Sequence, residues 1–298
     1  MNFKPRLLLR EAGHLIRGQA EPQLRAVRKG SQLITLDFPV TPRPRYGYGR
    51  SAHPGLLALL ESGREGYRSQ LRIFAGLSDY LLRIPQLTSD PGEPHWRNNW
   101  LEDLDLATLY SFIALTHPKR YVEVGSGQST KVARRAICDH ALQTTIVSID
   151  PQPRAEIDAL CDETLRVRLE DAPLSIFSQL HAGDMLFLDG SHRCFTNSDV
   201  SVAFLDILPN LDPGVLIHIH DIYLPDDYPP EWNGRYYSEQ YLLAALLLAG
   251  GVRFQVVLPN HFIATDPDLL STLGALWEAP HIGQPHGWAS SFWLRTRA

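Results

Sequence analysis

From residue 104 onward, apolar runs with strand spacing alternate with runs of helical spacing, and most of the strand runs end on a glycine or an acid. "LDLATLYSFIAL" reads as a helix, "RYVEVG" as a strand, "STKVARRAICDHAL" as a helix opened by Ser129 or Thr130, and "TTIVSID" as a second strand. The alternation continues through "AEIDALCD" (helical), "LRVRLED" (third strand), "PLSIFSQL" (short helix), "DMLFLDGS" (fourth strand), "VSVAFLDILPNL" (helix) and "GVLIHIHD" (fifth strand). "SEQYLLAALLLAG" adds a helix, and "FQVVLPNHFIAT" and "SSFWLRTR" supply two closing strands. A strand that returns through a helix re-enters its sheet parallel to its predecessor. The expectation is an α/β chain with a Rossmann-like, doubly wound, seven-stranded sheet, mostly parallel with one antiparallel strand. Ligands of such a sheet sit at the carboxyl ends of the strands.

Residues 1 to about 95 lack this rhythm. Basic helical pieces give way to "VTPRPRYGYGRSAHPG" and then to the helical stretch "LLALLESGREGYRSQLRIFAGLSDYLL", so 1–95 reads as a mostly helical arm or cap and 96–298 as the main domain. With 44% hydrophobic and 20% charged residues, a sizeable core is feasible. A net charge of −5 gives no field that would attract a phosphate polymer, which argues against a nucleic-acid partner. Cys138, Cys161 and Cys194 show neither a C-x-x-C spacing nor an even count, which fits a reducing, cytoplasmic setting. "YLLAALLLAGG" is too short to span a bilayer, and no membrane partner is expected.

The stretch "RYVEVGSGQST" places Gly125 and Gly127 between a strand and a helix, where missing side chains let the chain turn sharply and bring backbone close to a ligand. The third glycine of the dinucleotide fingerprint is absent, since Thr130 occupies its place. Glu123 would repel a pyrophosphate and suits a cationic ligand. Ser129 and Thr130 also fit as plain helix N-caps.

Taken together and in order, "VEVGSGQST", "IVSIDPQPR", "LED" and "MLFLDGSH" resemble the class I S-adenosylmethionine-dependent methyltransferases, over roughly residues 96–298. The resemblance implies S-adenosyl-L-methionine as cofactor. It places Gly125, Ser126, Gly127 and Ser129 along its amino-acid part, and gives Glu123 the task of holding that loop or the ammonium group. Asp150 would accept both ribose hydroxyls, Asp171 the adenine amino group, and Asp189 would close the cofactor site. A cap or salt bridge at a strand end is the plainer reading for each of these acids.

Polar residues crowd the ends of the fourth and fifth strands, which should be nearly all apolar. By the period of two, Val215, Ile217 and Ile219 share one face and Leu216, His218 and His220 the other. Asp189, His192, His220 and Asp221 therefore form a candidate site for a divalent ion or a proton transfer, with His218 favoured as a core histidine. The pattern is similar to the metal-dependent O-methyltransferases acting on macrolide sugars. That resemblance implies Asp189, His220 and Asp221 as ligands of a divalent metal ion (Mg, Mn or another), with His192 as catalytic base beside Asp189. The family's acidic pair is here His220 followed by Asp221, and imidazole is a poor partner for magnesium. Without a metal, His192 would act alone, oriented by Asp189 or Asp221.

These readings converge on O-methylation of a sugar-like or other small polar acceptor, in polysaccharide or secondary-metabolite biosynthesis by analogy. A small-molecule acceptor is the expected partner, and an N-terminal arm leaves room for a homo-oligomer. The alternatives are a non-catalytic cofactor-binding regulator and, less favoured, a metal-dependent hydrolase. The loop "YLPDDYPPEWNGRYYSEQ" brings Tyr228, Trp232, Tyr236 and Tyr237, which suit either stacking on an acceptor or packing of the loop against the arm. "HWRNNW" and Tyr110 invite the same two readings.

Overall fold

The computed structural model describes residues 34, 36–101, 103–250, 253–285 and 288–298; the basic helical pieces expected near the N-terminus lie outside the described residues. The chain divides into two compact units, Met1–Pro42 and Arg43–Ala298. The sheet belongs to the second, and the boundary expected near residue 95 falls inside it.

Seven strands form one sheet: β1 (Arg120–Val124), β2 (Thr145–Ile149), β3 (Glu163–Leu165), β4 (Met185–Leu188), β5 (Leu216–Ile219), β6 (Phe254–Pro259) and β7 (Phe292–Thr296), in the order β3-β2-β1-β4-β5-β7-β6. β1 to β5 run parallel, and β7 runs antiparallel between β5 and β6. The first three strands step outward on one side of β1 and β4 lies on its other side, so the winding direction switches between β1 and β4. A crevice opens at the carboxyl ends of the strands at such a point.

The helices are α1 (Pro54–Ser62), α2 (Arg64–Ala75), α3 (Ser78–Leu81), α4 (Asp103–Thr116), α5 (Gln128–Asp139), α6 (Asp199–Val202), α7 (Glu239–Leu248) and α8 (Asn260–Ala264), followed by two single-turn pieces, Pro267–Leu270 and Gly274–Trp277. α1 starts on Pro54, whose fixed φ suits the first helical position, with His53 Nδ1 accepting from the Leu56 N–H. α2 buries Tyr67, Leu71 and Phe74, one stripe at i, i+4, i+7. Phe74 meets Phe112 of α4 edge-on at 4.9 Å, and Phe112 meets Trp293 of β7 at 4.4 Å. Each of these burials stabilises by roughly 1.5–3 kcal/mol. The helices before residue 95 thus share one core with the sheet.

β4 and β5 are buried at every position, as central parallel strands covered on both faces should be. Their register pairs Phe187 with His218 and His218 with Trp293. The His218 ring lies flat on Phe187 at 3.9 Å and edge-on to Trp293 at 4.7 Å. Its Nε2 shares a 2.7 Å hydrogen bond with Ser291 Oγ, and burial holds its pKa well below the usual histidine range. His218 is a core histidine.

Four expected elements differ. The third strand was expected over 165–171 and is only Glu163–Leu165, because its partner β2 ends at Ile149 before Pro151 and Pro153 and offers nothing further to pair with. The crossovers flanking β3 form short 3-10 turns, Asp158–Leu160 and Leu174–Gln179, in place of α-helices. "FQVVLPNHFIAT" is strand only to Pro259, after which α8 begins.

Candidate functional site

Backbone bonding carries one residue past each strand end and fixes the site's acids. Gly125 N–H donates to Ile149 O at 3.0 Å, Asp189 N–H to Val124 O at 2.8 Å, His220 N–H to Leu188 O at 2.9 Å, and Asp150 N–H to Leu165 O at 3.1 Å. Gly125 adopts φ +80°, and a Cβ there would lie 1.9 Å from Asp189 O, so only glycine lets β1 and β4 end side by side. At Gly127 a Cβ would meet open space. That position faces a small cleft lined by Ser126, Gly127, Gln128, Ser129, Phe187 and Asp189, with Trp100 and Arg154 above.

Glu123 holds this turn from beneath. Fully buried, it accepts from Ser129 Oγ at 3.0 Å, from Tyr121 OH at 3.2 Å and from Thr130 Oγ1. Thr130 Oγ1 in turn accepts from the Gly127 N–H at 3.1 Å, so the N-cap position is Gly127, with neither Ser129 nor Thr130 as cap. Burial pushes the Glu123 carboxyl up to about 7, partly offset by the bonds from Thr130, Ser129, Ser126 and Tyr121.

Between its ordinary value of 4.5 and about 7, the folded protein keeps a proton that the unfolded chain has released. Stability therefore falls as pH rises through that window and then levels off. Glu123→Gln carries no such proton. Thermal midpoints compared from about pH 5 to pH 8 should show the variant gaining on the wild type as pH rises; parallel curves would exclude this account.

Asp150 ties the turn to β2: its Oδ2 accepts from the Ser126 N–H at 2.8 Å and its Oδ1 from the Gln152 N–H at 2.7 Å. Ser126 Oγ lies 2.6 Å from Ser148 Oγ. Asp171 sits exposed in the 3-10 turn Leu169–Asp171, outside both clefts described here.

A larger cleft of about 260 Å³ adjoins the first, sharing Trp100, Arg154 and Asp189 as its wall. Its floor is Asp105, Asp189, His220 and Asp221, and its sides include Tyr223, Trp232, Tyr237 and Trp288. Ligand atoms of Asp189, His220 and Asp221 all lie within 4.8 Å of one another. His220 Nδ1 is 3.3 Å from Asp221 Oδ1 and 3.9 Å from Asp189 Oδ1, and its buried Nε2 lacks a hydrogen-bond partner, 3.6 Å from Asp105 Oδ2.

His192 lies behind this floor, 2% exposed. Its Nε2 is 3.2 Å from Asp189 Oδ1 and 3.3 Å from Asp221 Oδ2, and its Nδ1 is 2.9 Å from Glu239 Oε2. The Ser238 N–H also donates to His192 O at 2.8 Å, fixing the turn to the start of α7. His192 and Asp221 both adopt left-handed backbone, at φ +58° and +56°, a conformation that costs a non-glycine residue roughly 1–3 kcal/mol and gathers at functional sites. The "DGS" turn is further held by Asp199, which accepts from the Ser191 N–H at 2.5 Å and Ser191 Oγ at 2.6 Å.

The electrostatics are strongly coupled. Burial opposes charge on both imidazoles, yet Asp221, Asp189 and Glu239 raise His192 well above the usual histidine range, and Asp105, Asp221 and Asp189 do the same for His220. Despite burial, the bond from His192 and the charges of His220 and Arg154 hold Asp189 well below the usual carboxylate range. Burial raises Glu239, countered by His192. The carboxylates thus favour the charged form of both imidazoles, and the imidazoles favour the ionised form of Asp189.

Sequence reasoning missed Asp105, Glu239, Arg154 and Arg235. Asp105 and Glu239 stand in the first turns of α4 and α7, where an acid is ordinarily read as a dipole partner. Asp105 accepts from the Ser290 N–H at 2.8 Å, the Ser291 N–H at 2.9 Å and Asn260 Nδ2 at 2.8 Å, which pins the loop before β7 to the site. Of the loop aromatics, Trp232 and Tyr237 line the cleft, Tyr228 is buried against Trp232, Tyr237 and Tyr241, and Tyr236 is exposed. The loop also packs on the segment before α1: Asp227 Oδ2 accepts from the Arg45 N–H at 2.5 Å and the Tyr46 N–H at 3.0 Å. Trp96 is a core residue against Trp277, Trp100 lines both clefts, and Tyr110 donates to Asp139 at 2.7 Å, away from the site. The three cysteines are free, and among the described residues no helix is long and apolar enough to cross a membrane.

Residues 122–222 match a family model described as "Methyltransferase domain". No curated protein sequence matches the chain. Among solved structures, the Podospora anserina methyltransferase PaMTH1, bound to S-adenosylhomocysteine, is similar at 15% identity over 85% of this chain and 100% of that one, with a TM-score of 0.41. The plantazolicin methyltransferase BpumL, in complex with a monoazolic desmethyl analogue and S-adenosylhomocysteine, is similar at 14% identity over 80% and 99%, with a TM-score of 0.41. MycE of the mycinamycin pathway, in complex with Mg, S-adenosylhomocysteine and mycinamycin VI, is similar at 16% identity over 76% of this chain and 54% of that one, with a TM-score of 0.38.

Proposed function

We propose that residues 122–222, which match a methyltransferase-domain family model and carry five of the seven strands, belong to a class I methyltransferase fold, and that the chain methylates a hydroxyl of a small, sugar-like or otherwise polar acceptor with S-adenosylmethionine as donor. One observation carries this reading: two clefts meet across Asp189, the first lined by the glycine turn after β1 and the second floored by acids and imidazoles. Ser126, Gly127 and Ser129 would hold the cofactor, which would supply a methyl group to an acceptor in the adjoining cleft. Asp150 takes the ribose hydroxyls, since its oxygens each keep a lone pair beyond the bonds to the Ser126 and Gln152 N–H groups. Glu123 serves by holding the turn. Asp171 keeps the adenine role only if cofactor binding draws its turn inward.

Asp189, His220 and Asp221 suit a divalent ion: two carboxylates converge with an imidazole whose Nδ1 faces them both, while its Nε2 is turned to Asp105. A bound ion would lower the pKa of the acceptor hydroxyl and hold it in line with the methyl group. His192 keeps Asp189 and Asp221 close together, with Glu239 fixing its ring. The role of base falls to the neutral form of the imidazole, which takes the hydroxyl proton through them only after giving up the extra proton that its three carboxylates favour.

The cofactor assignment is tested by calorimetric titration with S-adenosylhomocysteine beside Asp150→Ala. Micromolar binding by the wild type and a loss of roughly 10–100-fold in the variant are expected, the size of one or two hydrogen bonds to a charged group. Absence of binding in both would remove the assignment.

A further inference from the structure

We propose that the acceptor carries an anionic group, a carboxylate or a phosphate, which Arg154 and Arg235 receive at the rim of the larger cleft while its hydroxyl reaches the acidic floor. The hydroxyl's fate rests on the methyltransferase reading above; the anion's does not.

Both arginines line the same cleft and both are exposed. Arg64, Arg68, Arg134, Arg135 and Arg166 are each paired with a carboxylate. Arg154 and Arg235 have no such ion pair among the described residues. Each is stacked on an indole: Arg154 lies 4.3 Å over Trp100, and Arg235 lies 4.0 Å over Trp232 and 5.6 Å from Tyr237. A stacked guanidinium is fixed in orientation while the N–H groups in its plane stay available, which is the arrangement that receives a carboxylate or phosphate in bidentate fashion.

The charge distribution gives the cleft a direction. Asp105, Asp189 and Asp221 make the floor anionic around His220, and the two guanidinium groups make the rim cationic. An anion on the acceptor is repelled from the floor and held at the rim, so the molecule enters with its hydroxyl downward. An uncharged acceptor would leave both guanidinium groups unused, and a cationic one would be turned away. The exposed indole of Trp288 offers a flat face for a ring. At about 260 Å³ the cleft suits one ring with its substituents.

The test titrates the whole protein, with and without S-adenosylhomocysteine, against D-glucuronate, D-glucose 6-phosphate and uncharged methyl glucoside, read by quenching of the cleft tryptophans. The carboxylate or the phosphate probe, whichever matches, is expected to bind about tenfold tighter than the glucoside or better. Arg235→Ala should erase that preference without changing affinity for the glucoside, Arg235→Lys should keep part of it, and Arg154→Ala should weaken the charged probe in the same way. Equal weakening of all three probes would mean that Arg235 merely props Trp232 and Tyr237, and overturns the proposal. So does a wild type with no preference, whether all probes bind alike or none binds at millimolar concentration. A wild type that prefers the charged probe but does not bind S-adenosylhomocysteine would sink the methyltransferase reading alone.

Discussion

Replacing His192 with alanine is expected to abolish methyl transfer, by about a thousandfold or more, while affinity for S-adenosylhomocysteine stays within a few-fold. The reason lies in what the imidazole touches. Its Nε2 lies between Asp189 and Asp221 and its Nδ1 on Glu239, so one buried ring balances three carboxylates. Alanine would leave those carboxylates facing one another, spread the pair at the floor of the acceptor cleft, and remove the group that receives the hydroxyl proton. The glycine turn does not depend on His192, since Glu123, Asp150 and Thr130 hold it. Cofactor binding should therefore survive.

The same substitution has a signature in stability. In the wild type, the neighbouring carboxylates raise the folded pKa of His192 above its unfolded value. That stabilisation is fully present at low pH and is lost as pH rises through the raised folded value. The alanine variant should thus fall furthest below the wild type between the ordinary carboxylate and histidine values, about pH 4.5 to 6. The gap should narrow as pH rises through the raised folded value of His192, and narrow again on further acidification as the carboxylates take up protons. Single-turnover rates and thermal midpoints across pH test both parts. A variant with unchanged turnover would remove His192 from the mechanism.

Much of this site is legible in the sequence because strand ends are legible. Once "RYVEVG", "MLFLDGS" and "GVLIHIHD" are read as adjacent parallel strands, Gly125, Asp189 and His220 must stand at one edge of one sheet. What the pattern could not give is where side chains from other elements arrive. Asp105 and Glu239 look like ordinary first-turn acids, and their meaning depends on α4 and α7 beginning beside the same cluster of carboxylates and imidazoles. Nor could it show that His192, three residues beyond Asp189, turns inward through a left-handed backbone and sits behind the carboxylates. Asp171 illustrates the converse. The motif "LED" suggested a strand end, but β2 runs out before a strand there could pair, and the acid is left in an exposed turn.

The second large effect concerns a divalent ion. Exhaustive chelation is expected to suppress turnover at least a hundredfold, with manganese restoring it, and Asp221→Asn to weaken manganese binding measured by paramagnetic resonance about tenfold or more. The charge count favours this. Asp105, Asp189, Asp221 and Glu239 gather around His192 and His220, an excess of two carboxylates over imidazoles. A dication would balance them, but to ligate it His220 must first lose its proton, which its carboxylate neighbours hold tightly. Affinity for the ion should therefore weaken as pH falls through the raised value of His220, at a higher pH than burial alone would set. An imidazole donor also favours manganese or a later transition ion over magnesium. His220→Asp should shift the preference toward magnesium. Full activity after chelation, with no metal found by elemental analysis, would leave His192 and its three carboxylates as the whole of the proton-handling machinery, and the closeness of Asp189, His220 and Asp221 as a matter of charge balance alone.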